Sequence, residues 1–475
     1  MSRVILLELN ELTPRLMDHF IDEGHLPGFK RLRDESIVCV SDAKEKPPNL
    51  EPWIQWVTVH SGLSFAEHKV FSLGDGPKLG APRIWDIVSD AGKKVWVCGS
   101  MNAAVRNNDI NGMVLPDPWA IGISPKPEPL FRPYFKLISS YVQEYTRDKP
   151  PLKPKQYIDF LMFMLSHGLS KRTVMEAVRQ LAGERRSRGR WRRAPILDSL
   201  QWDVFEHFYK KLKPTFSTFF LNSTAHYQHY YWRNMEPEKF TVKPSNKDQF
   251  EYSDAILFGY KKMDAIVSQT LDLADPDTTV VLCTALGQQP LLQYEQSGGR
   301  QLFKPLNIEA LMKLAGITAN YRYAPVMAEE FKLFFDDSAA AADAAEKLLA
   351  LRLSDGSSVM KARLTNEEIF AGCTVFSPPP PDTEIKSPFT NDVVKFSEVF
   401  YLIEAGLKSG MHHPHGILWL RTPERRHAVV DRLVSLQEIA PTLLDIMEIR
   451  NTPKFSFPPI PELSPTFEDV RAVTA

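Results

Sequence analysis

Two short histidine clusters are the clearest chemical feature of this sequence. Five of the twelve histidines lie in them: His226 and His229 in one, His412, His413 and His415 in the other. A spacing of three places His226 and His229 on one face of a helical turn, an arrangement that commonly chelates a metal ion. The alternative is that these are ordinary loop histidines bonded to water or backbone. The clusters therefore predict candidate ligands for a divalent metal.

Three further polar residues stand next to predicted helices and strands. Glu51 directly precedes Pro52, a residue preset for the first position of a helix. The partial positive charge of a helix N-terminus stabilises an anion, so Glu51 suits a metal ligand, a general base or a carboxylate nucleophile. Its alternative role is a capping acid without chemistry. Asn10 and Asn222 end predicted strands, where open α/β sheets place their ligands, although Asn10 is also a common turn former.

The segment Arg185–Arg193 holds six arginines and Trp191. Such a run is usually a solvated, flexible surface. One alternative is a clamp for substrate phosphates, in which Arg190 and Arg192 contact the anionic group. The other is peripheral contact with an anionic lipid or polymer surface. The interleaved tryptophan favours contact with a sugar, a base or a headgroup.

Short apolar runs alternate with helical segments along much of the chain. The predicted strands are Val4–Leu9, Ser36–Val40, Lys94–Cys98, Thr218–Asn222, Thr279–Thr284 and Gly416–Leu420. The predicted helices between them are Pro14–Glu23, Pro52–Gly62, Ile84–Gly92, Gln249–Leu273 and Leu436–Ile446. Strands that alternate with helices predict an α/β fold, with a largely parallel central sheet covered by helices on both faces.

Changes in composition divide the chain into four segments. Residues 1–120 are predicted as the first part of the core, and residues 201–452 as the second part. Residues 121–200, rich in proline and basic residues, are predicted as an inserted helical cap. Residues 453–475 form a proline-rich tail expected to lie along the surface.

The composition restricts the class of protein. The 475 residues include 57 Lys+Arg and 58 Asp+Glu, so the net charge of -1 gives no reason to expect nucleic acid. No apolar run reaches the roughly 18 residues of a membrane span. Four cysteines lie far apart, which favours reduced core thiols and a cytoplasmic protein. Nothing in the sequence predicts the oligomeric state.

Seven short blocks resemble the type I phosphodiesterase/nucleotide pyrophosphatase branch of the alkaline-phosphatase superfamily. The blocks are Val4–Asn10 with Glu23–Leu32, Pro52–Leu63 with His68, Ile84–Val88 with Gly92–Val95, His229–Trp232, Tyr260–Asp264, Gly410–Gly416 and Glu438–Leu444. The resemblance implies an alkaline-phosphatase-like fold. It also implies two divalent metals, commonly zinc, and a Thr or Ser nucleophile at a helix N-terminus.

Several of the family's functional positions are substituted. Its first-strand Asp falls on Asn10 and its nucleophile on Glu51. The later Asp-His pair falls on Ala285 and Leu286, so an unmodified two-zinc site is not expected.

The other metal position keeps its histidines, which match His229 and His412, while the Asp before them falls on Ala225. If His226 replaces that carboxylate, the three histidines form a neutral site for one ion, zinc first, with manganese or iron as alternatives. Glu51 is then a base or additional ligand, and Asn10 positions substrate or water. His413 and His415, the arginine run or Asn222 are expected to hold the anionic substrate.

These residues predict a divergent metal-dependent hydrolase, phosphodiesterase- or pyrophosphatase-like. Its expected substrate is a phosphate-containing small molecule, such as a nucleotide-sugar or phosphoglycan intermediate. Two alternatives stay open: a pseudoenzyme that serves as a binding or scaffolding module, and a metal-independent transferase or lyase that uses the same pocket.

Overall fold

An eight-stranded sheet forms the centre of the structure, a computed structural model described over residues 3–107, 109–119, 122–142, 152–184, 189–325, 329–403 and 406–463. In chain order its strands and those of the smaller sheets are β1 (Arg3–Leu9), β2 (Ile37–Asp42), β3 (Val95–Cys98), β4 (Gly112–Leu115), β5 (Phe216–Leu221), β6 (Thr278–Cys283), β7 (Gly287–Pro290), β8 (Phe303–Pro305), β9 (Tyr321–Pro325), β10 (Glu330–Phe335), β11 (Arg352–Leu353), β12 (Met360–Thr365), β13 (Glu368–Cys373), β14 (Glu384–Lys386), β15 (Val393–Lys395), β16 (Phe400–Leu402), β17 (Gly410–His413), β18 (His415–Arg421) and β19 (Ala428–Ser435).

The helices follow the strands in alternation through most of the chain. They are α1 (Pro14–Asp22), α2 (Pro27–Asp34), α3 (Pro52–Ser61), α4 (Phe65–His68), α5 (Ile84–Asp90), α6 (Glu128–Val142), α7 (Pro154–Ser166), α8 (Lys171–Glu184), α9 (Ala194–Leu212), α10 (Ser223–Met235), α11 (Asn246–Tyr252), α12 (Ala255–Leu273), α13 (Ile308–Ala315), α14 (Ser338–Leu349), α15 (Phe396–Val399) and α16 (Ile439–Ile446). Proline opens α1, α2, α3 and α7, as expected for a residue that is preset for the first helical turn.

The central sheet has the order β19-β2-β18-β6-β1-β5-β3-β4. Its neighbouring strands are parallel, except that β18 runs antiparallel to both β2 and β6. Along β1, Val4 and Leu6 pack into one apolar core, whereas Ile5 and Leu7 pack into another. Both faces of the sheet are therefore covered, which explains why its strands are continuous apolar runs. The prediction of an α/β fold with a largely parallel sheet is confirmed.

A separate apolar core, called the second core below, lies outside the central sheet and its two apolar faces. It is built from the antiparallel sheet β12-β13-β10-β9, with α13 and α14 packed near it. Leu333, Ile369 and Leu348 are fully buried there. This core lies within residues 201–452, which the sequence predicted as a single second part of the main core.

The predicted cap consists of α6, α7 and α8, and it is anchored to the central core by aromatic residues. Phe131 of α6 stacks on Trp96 of β3 with ring centroids 5.6 Å apart, and Phe163 of α7 lies 6.2 Å from Phe131. The boundary predicted at residue 200 falls inside α9, which spans Ala194–Leu212. This is because α9 belongs both to the cap and to the helical layer of the sheet.

Two other predicted elements differ in detail from the structure. The single helix predicted over Gln249–Leu273 is two helices, α11 and α12, with Ser253 and Asp254 between them. Serine and aspartate side chains compete for backbone hydrogen bonds, which favours a helix end at this point. In the tail, Ile460 is buried and its N–H donates to the Thr442 hydroxyl at 2.9 Å. Residues 464–475 lie outside the described residues.

All four cysteines are buried and free of disulfide bonds. Among the described helices, none is both long and apolar enough to cross a membrane.

Candidate metal centre and catalytic pocket

The candidate site forms where several segments of the chain end at the same edge of the sheet. Strands β1, β5 and β6 are parallel neighbours, so their carboxyl ends meet, and Asn10, Glu11 and Asn222 follow directly. Because β18 is antiparallel, its first residues lie at that same edge. The preceding strand β17 places His412 there, and Glu51 arrives at the start of α3.

Three side chains converge on one point. Oε2 of Glu11 lies 3.1 Å from Nε2 of His229 and 3.4 Å from Nε2 of His412. Their ligand atoms all lie within 4.8 Å of one another. A carboxylate and two imidazoles are a common protein donor set for zinc when a coordination position is left open for water. Within the described part of the chain this is the one such group.

The second nitrogen of each imidazole faces a backbone carbonyl. Nδ1 of His229 is 3.1 Å from the Gly410 oxygen, and Nδ1 of His412 is 2.9 Å from the Leu50 oxygen. A carbonyl can only accept, so each Nδ1 carries a proton, and each Nε2 faces Glu11 as a lone pair when the ring is neutral or as a second donor when the ring is protonated. Two lone pairs facing a carboxylate repel it unless a proton or a cation lies between them. Histidines oriented in this way by a carbonyl are typical of metal ligands, so the residues fit a divalent ion.

The backbone of Glu11 directs its side chain into this position. Its φ of +64° lies in the left-handed region, which costs a non-glycine residue roughly 1 kcal/mol or more. The Gln228 side chain holds this turn by donating from Nε2 to the Glu11 carbonyl at 2.7 Å. Gly410 supports the site from the other side, since a Cβ there would clash with the carbonyl oxygen of Gln228.

Hydrogen bonds orient the carboxylate of Glu11. Nδ2 of Asn10 donates to Oε1 of Glu11 at 2.7 Å and to Oδ1 of Asn222 at the same distance. Oδ1 of Asn10 accepts from Nε1 of Trp56 at 2.8 Å. The Gln288 amide donates to Oε2 of Glu11, the oxygen that faces the histidines. Asn10 is fully buried and therefore positions Glu11 from behind the pocket.

The electrostatics of the site favour a negative charge on Glu11. Burial alone would raise the pKa of Glu11, but His412 and His229 outweigh it and hold that pKa well below its usual range. Burial and the positive charge of Lys408 lower the pKa of His229, although Glu11 acts to raise it. Burial also acts against charge on His412, yet Glu11 and Glu51 raise the pKa of His412 above its usual value. The centre therefore retains an anion that attracts a positive charge.

Glu51 lies beside this centre. Its Oε2 is 3.5 Å from Nδ1 of His412, and burial raises the pKa of Glu51 to about 7 although His412 acts to lower it. A carboxyl group with such a pKa can exchange protons near neutrality, which is the property of a general acid or base.

A pocket of about 430 Å³ opens from these residues. Glu11, His229 and His412 lie at one end of it, with Glu51 and Lys408 also in its wall. The rest of the wall is largely apolar and includes Pro52, Trp53, Pro118, Trp119, Tyr134, Ile138, Val142, Ala194, Leu197, Leu302 and Ile403. The pocket thus combines one charged end with space for an organic group.

Other residues named from the sequence occupy different places. His226 and Asn222 line this pocket, but His226 contributes no atom to the group of Glu11, His229 and His412. Burial lowers the pKa of His226 to about 4, so it is neutral near pH 7. His413 and His415 pack against each other with ring centroids 4.9 Å apart, and neither lines the pocket.

The arginine run lies only partly within the described residues. Residues 185–188 are outside them. Arg192 lies over the ring of Trp191 and lines a separate surface groove between α8, α9 and α12. Arg190, in a short 3-10 turn spanning Gly189–Arg193, does not line the pocket either.

Two residues of the pocket were not predicted as functional. Glu11 carried one signal, an acid directly after a strand, but its role depends on the left-handed backbone. Lys408 lies in a stretch without a motif, so only its position in the fold brings it to the pocket. Ala285 and Leu286, the positions of a second metal in the resemblance, are fully buried apolar residues.

Comparison with known proteins gives structural but not sequence matches. No protein-family model matches, and no curated protein matches by sequence. The alkaline phosphatase PafA matches with a TM-score of 0.50 and 12% identity over 97% of this chain and 98% of that one. Phosphonoacetate hydrolase from Sinorhizobium meliloti 1021 has a TM-score of 0.44 and 11% identity, over 94% and 96% of the two chains. Murine ectonucleotide pyrophosphatase/phosphodiesterase 5 has a TM-score of 0.42 and 8% identity, over 95% of this chain and 96% of that one. The chain therefore has an alkaline-phosphatase-like α/β fold, at a sequence identity that establishes the fold alone.

Proposed function

We propose that this chain is a metal-dependent hydrolase that cleaves phosphoester or phosphoanhydride bonds in a small organic phosphate. One observation carries the proposal. Two histidines, each donating from Nδ1 to a backbone carbonyl, aim Nε2 at a single oxygen of an ionised glutamate. This arrangement is built for a cation, and it lies at the end of a pocket large enough for a substrate.

Glu11, His229 and His412 would hold one divalent ion, with zinc as the first candidate and manganese or iron as alternatives. When bound, such an ion polarises a phosphoryl oxygen and lowers the pKa of a bound water. Asn10 and Gln288 keep the carboxylate of Glu11 in place through their amide donors. His226, which lines the same pocket, is proposed as a further ligand or as a contact to the substrate.

Glu51 is proposed as the general base. It stands at the N-cap of α3, where the resemblance would place a hydroxyl nucleophile. The two hydroxyls further along this helix are engaged elsewhere: Ser61 donates to the Val57 carbonyl, and Thr58 contacts His68. A direct attack of water on phosphorus therefore suits this chain better than a covalent seryl or threonyl intermediate. The proton of the water would pass to the Glu51 carboxylate while the P–O bond to the leaving group breaks, and the protonated Glu51 or solvent would return a proton to the leaving oxygen.

Lys408 is proposed to bind the substrate phosphate. Its side chain lines the pocket together with the metal-site residues, and a lysine is a flexible point charge that suits a phosphate oxygen. The aromatic and aliphatic wall would hold the organic part of the substrate. A nucleotide-sugar or a phosphoglycan intermediate has this combination of charge and bulk. Asn222, which lines the pocket, is proposed to contact the anionic group. His413, His415, Arg190 and Arg192 lie outside the pocket wall, so their predicted contact with the substrate receives no support from this geometry.

Metal content is the first experiment. Protein purified without a His-tag or chelator is expected to contain about one equivalent of zinc, manganese or iron by mass spectrometry. A His229→Ala/His412→Ala double variant should lose it, whereas a His19→Ala/His427→Ala variant, altered at two histidines distant from the site, should retain it.

Activity is then measured with p-nitrophenyl phosphate and bis(p-nitrophenyl) phosphate, a monoester and a diester. Metal-dependent turnover of either supports a hydrolase, and preference for the diester supports the phosphodiesterase assignment. Absence of metal in the wild-type protein, with no uptake on addition of ions, would instead favour a binding or scaffolding module or a metal-independent reaction.

A further inference from the structure

Two consecutive helices of the cap expose apolar side chains to solvent. Of the eighteen large apolar side chains that are exposed in the described residues, ten lie between residues 141 and 181. On α7 they are Tyr157, Ile158, Leu161, Met162 and Leu165; on α8 they are Val174, Met175, Val178 and Leu181. These nine residues are called the apolar face below.

The spacing shows that each helix carries a continuous stripe. The α7 residues recur at intervals of one, three and four, which places them within about 140° of the helix circumference at 100° per residue. Leu161 and Leu165 of this stripe are 51% and 62% exposed. The α8 residues follow a similar pattern. A surface helix usually turns such a stripe toward the core, so its exposure here is a reversal of the common arrangement.

The apolar face is not the result of loosely attached helices. Phe163 of α7 is buried in the central core on the side opposite the stripe, and Met164 is buried there next to one edge of the stripe. Thr173 of α8 is buried, and Glu176 of α8 forms an ion pair with Lys262 of α12. Each helix therefore has one side bound to the protein and a second, apolar side whose large side chains are 43–62% exposed.

Basic residues outnumber acidic residues in the segments that carry the apolar face. The described residues 152–184 and 189–193 include eight lysines and arginines but only three acidic residues. The whole chain, by comparison, has 57 lysines and arginines and 58 acidic residues. Lys171 and Arg179 lie on α8 next to its stripe, and neither has an acidic partner within 4.0 Å among the described residues. Arg172, Arg179 and Arg192 line a surface groove beside Met175. Three of the eight basic residues have acidic partners, since Lys155 pairs with Asp159, Arg192 with Asp254 and Arg193 with Glu184. Unpaired positive charge therefore lies along the α8 part of the apolar face, at Lys171 and Arg179.

We propose that the apolar face docks on an anionic phospholipid bilayer. Apolar side chains would enter the boundary between headgroups and acyl chains, while the adjacent lysines and arginines contact headgroup phosphates. A protein partner would account for the apolar stripe alone. The combination of an apolar stripe with adjacent unpaired basic residues favours an acidic lipid surface. This proposal does not depend on the metal centre.

The cap links this surface to the pocket. Tyr141 of α6 and Tyr157 of α7 approach each other with their hydroxyls 2.9 Å apart. Tyr134, Ile138 and Val142 of α6 form part of the pocket wall. Docking through α7 would therefore bring the pocket near the membrane surface.

Vesicle co-sedimentation of the full chain tests the proposal. The protein is expected to bind vesicles containing 30% phosphatidylglycerol at least tenfold more tightly than vesicles of phosphatidylcholine alone, and to dissociate as salt is raised. Leu161→Glu/Leu165→Glu should weaken binding at least tenfold, as should Arg172→Glu/Arg179→Glu. These side chains are exposed, so folding should be retained, and circular dichroism checks it.

Matched controls carry the same chemical change elsewhere. Leu349→Glu/Leu364→Glu alters two exposed leucines, on α14 and β12, and Lys313→Glu/Lys386→Glu reverses two charges, on α13 and β14; both variants should bind like the wild type. Equal binding to both kinds of vesicle, equal binding by all variants, or no binding by folded protein would each overturn the proposal. Self-association that Leu161→Glu/Leu165→Glu abolishes, without vesicle binding, would assign the face to a second copy of this chain.

Discussion

Glu11 combines an unusual backbone conformation with a central position in the site. Its left-handed φ turns the chain directly after β1 and brings its carboxylate to two histidines from distant parts of the sequence. Asn10, the preceding residue, secures the other carboxylate oxygen. Backbone strain of this kind persists only where the surrounding structure enforces it, and it is frequent at functional sites.

Replacement of Glu51 by Gln separates catalysis from metal binding. The amide keeps the size of the side chain but cannot accept the proton of an attacking water. We expect kcat to fall by roughly 10²–10⁴-fold, with little change in KM and with the metal content retained. Steady-state kinetics and metal analysis on the same preparation check this. Loss of the metal together with activity would show that Glu51 is a ligand, and unchanged kcat would exclude it as the base.

Helix α4 and the end of α3 form a small structural unit around His68. The Nδ1 of His68 accepts from the Val70 N–H at 3.0 Å, so this nitrogen must be unprotonated, and Nε2 faces the Thr58 hydroxyl at 3.3 Å. Burial, with Arg83 adding to it, lowers the pKa of His68 to about 4. A proton on this ring would break a hydrogen bond and leave a buried charge.

Acid is therefore expected to destabilise this unit. Because the unfolded chain binds the proton near pH 6.5 and the folded chain only near pH 4, stability is complete above pH 6.5 and falls as the pH drops toward 4. The contribution of His68 amounts to about 3 kcal/mol over this window. His68→Asn retains an acceptor and should lose less stability between pH 7 and pH 4.5 in denaturant titrations. His19→Asn, at an exposed histidine, should behave like the wild type.

At the scale of the whole molecule, the candidate site joins distant segments. Glu11 follows the first strand, His229 lies in α10 and His412 in β17. A ligand bound by all three residues stabilises only the folded chain, since the unfolded chain does not bring them together.

Metal addition is accordingly expected to raise the melting temperature. At a free metal concentration about 100-fold above Kd, the native state gains about 2.7 kcal/mol. Differential scanning fluorimetry of protein stripped with chelator should show a rise of a few degrees on addition of zinc, and none in His229→Ala/His412→Ala. An equal rise in that double variant would place the binding elsewhere.

Sequence reasoning identified the sheet more completely than the site. The continuous apolar runs and their alternation with helices depend on local composition, and they predicted the α/β fold. His229 and His412 stood out because they lie in clusters. Glu11 and Lys408 were not predicted as functional residues. The position of Glu11 depends on a backbone turn, and that of Lys408 on long-range packing, and neither feature can be inferred from a local sequence pattern. The second core went unseparated, since its strands β10, β12 and β13 show no regular alternation of buried and exposed residues.

The single antiparallel strand of the central sheet has a consequence for biosynthesis. Since β18 and the adjoining β17 come late in the chain, a polypeptide still emerging from the ribosome has Glu11 and His229 but not His412. The growing chain therefore presents an incomplete set of donor atoms until β17 has been translated and has paired with β7. The proposed metal ion would accordingly be bound late in folding, and it could not guide the earlier assembly of β1, β5 and β6.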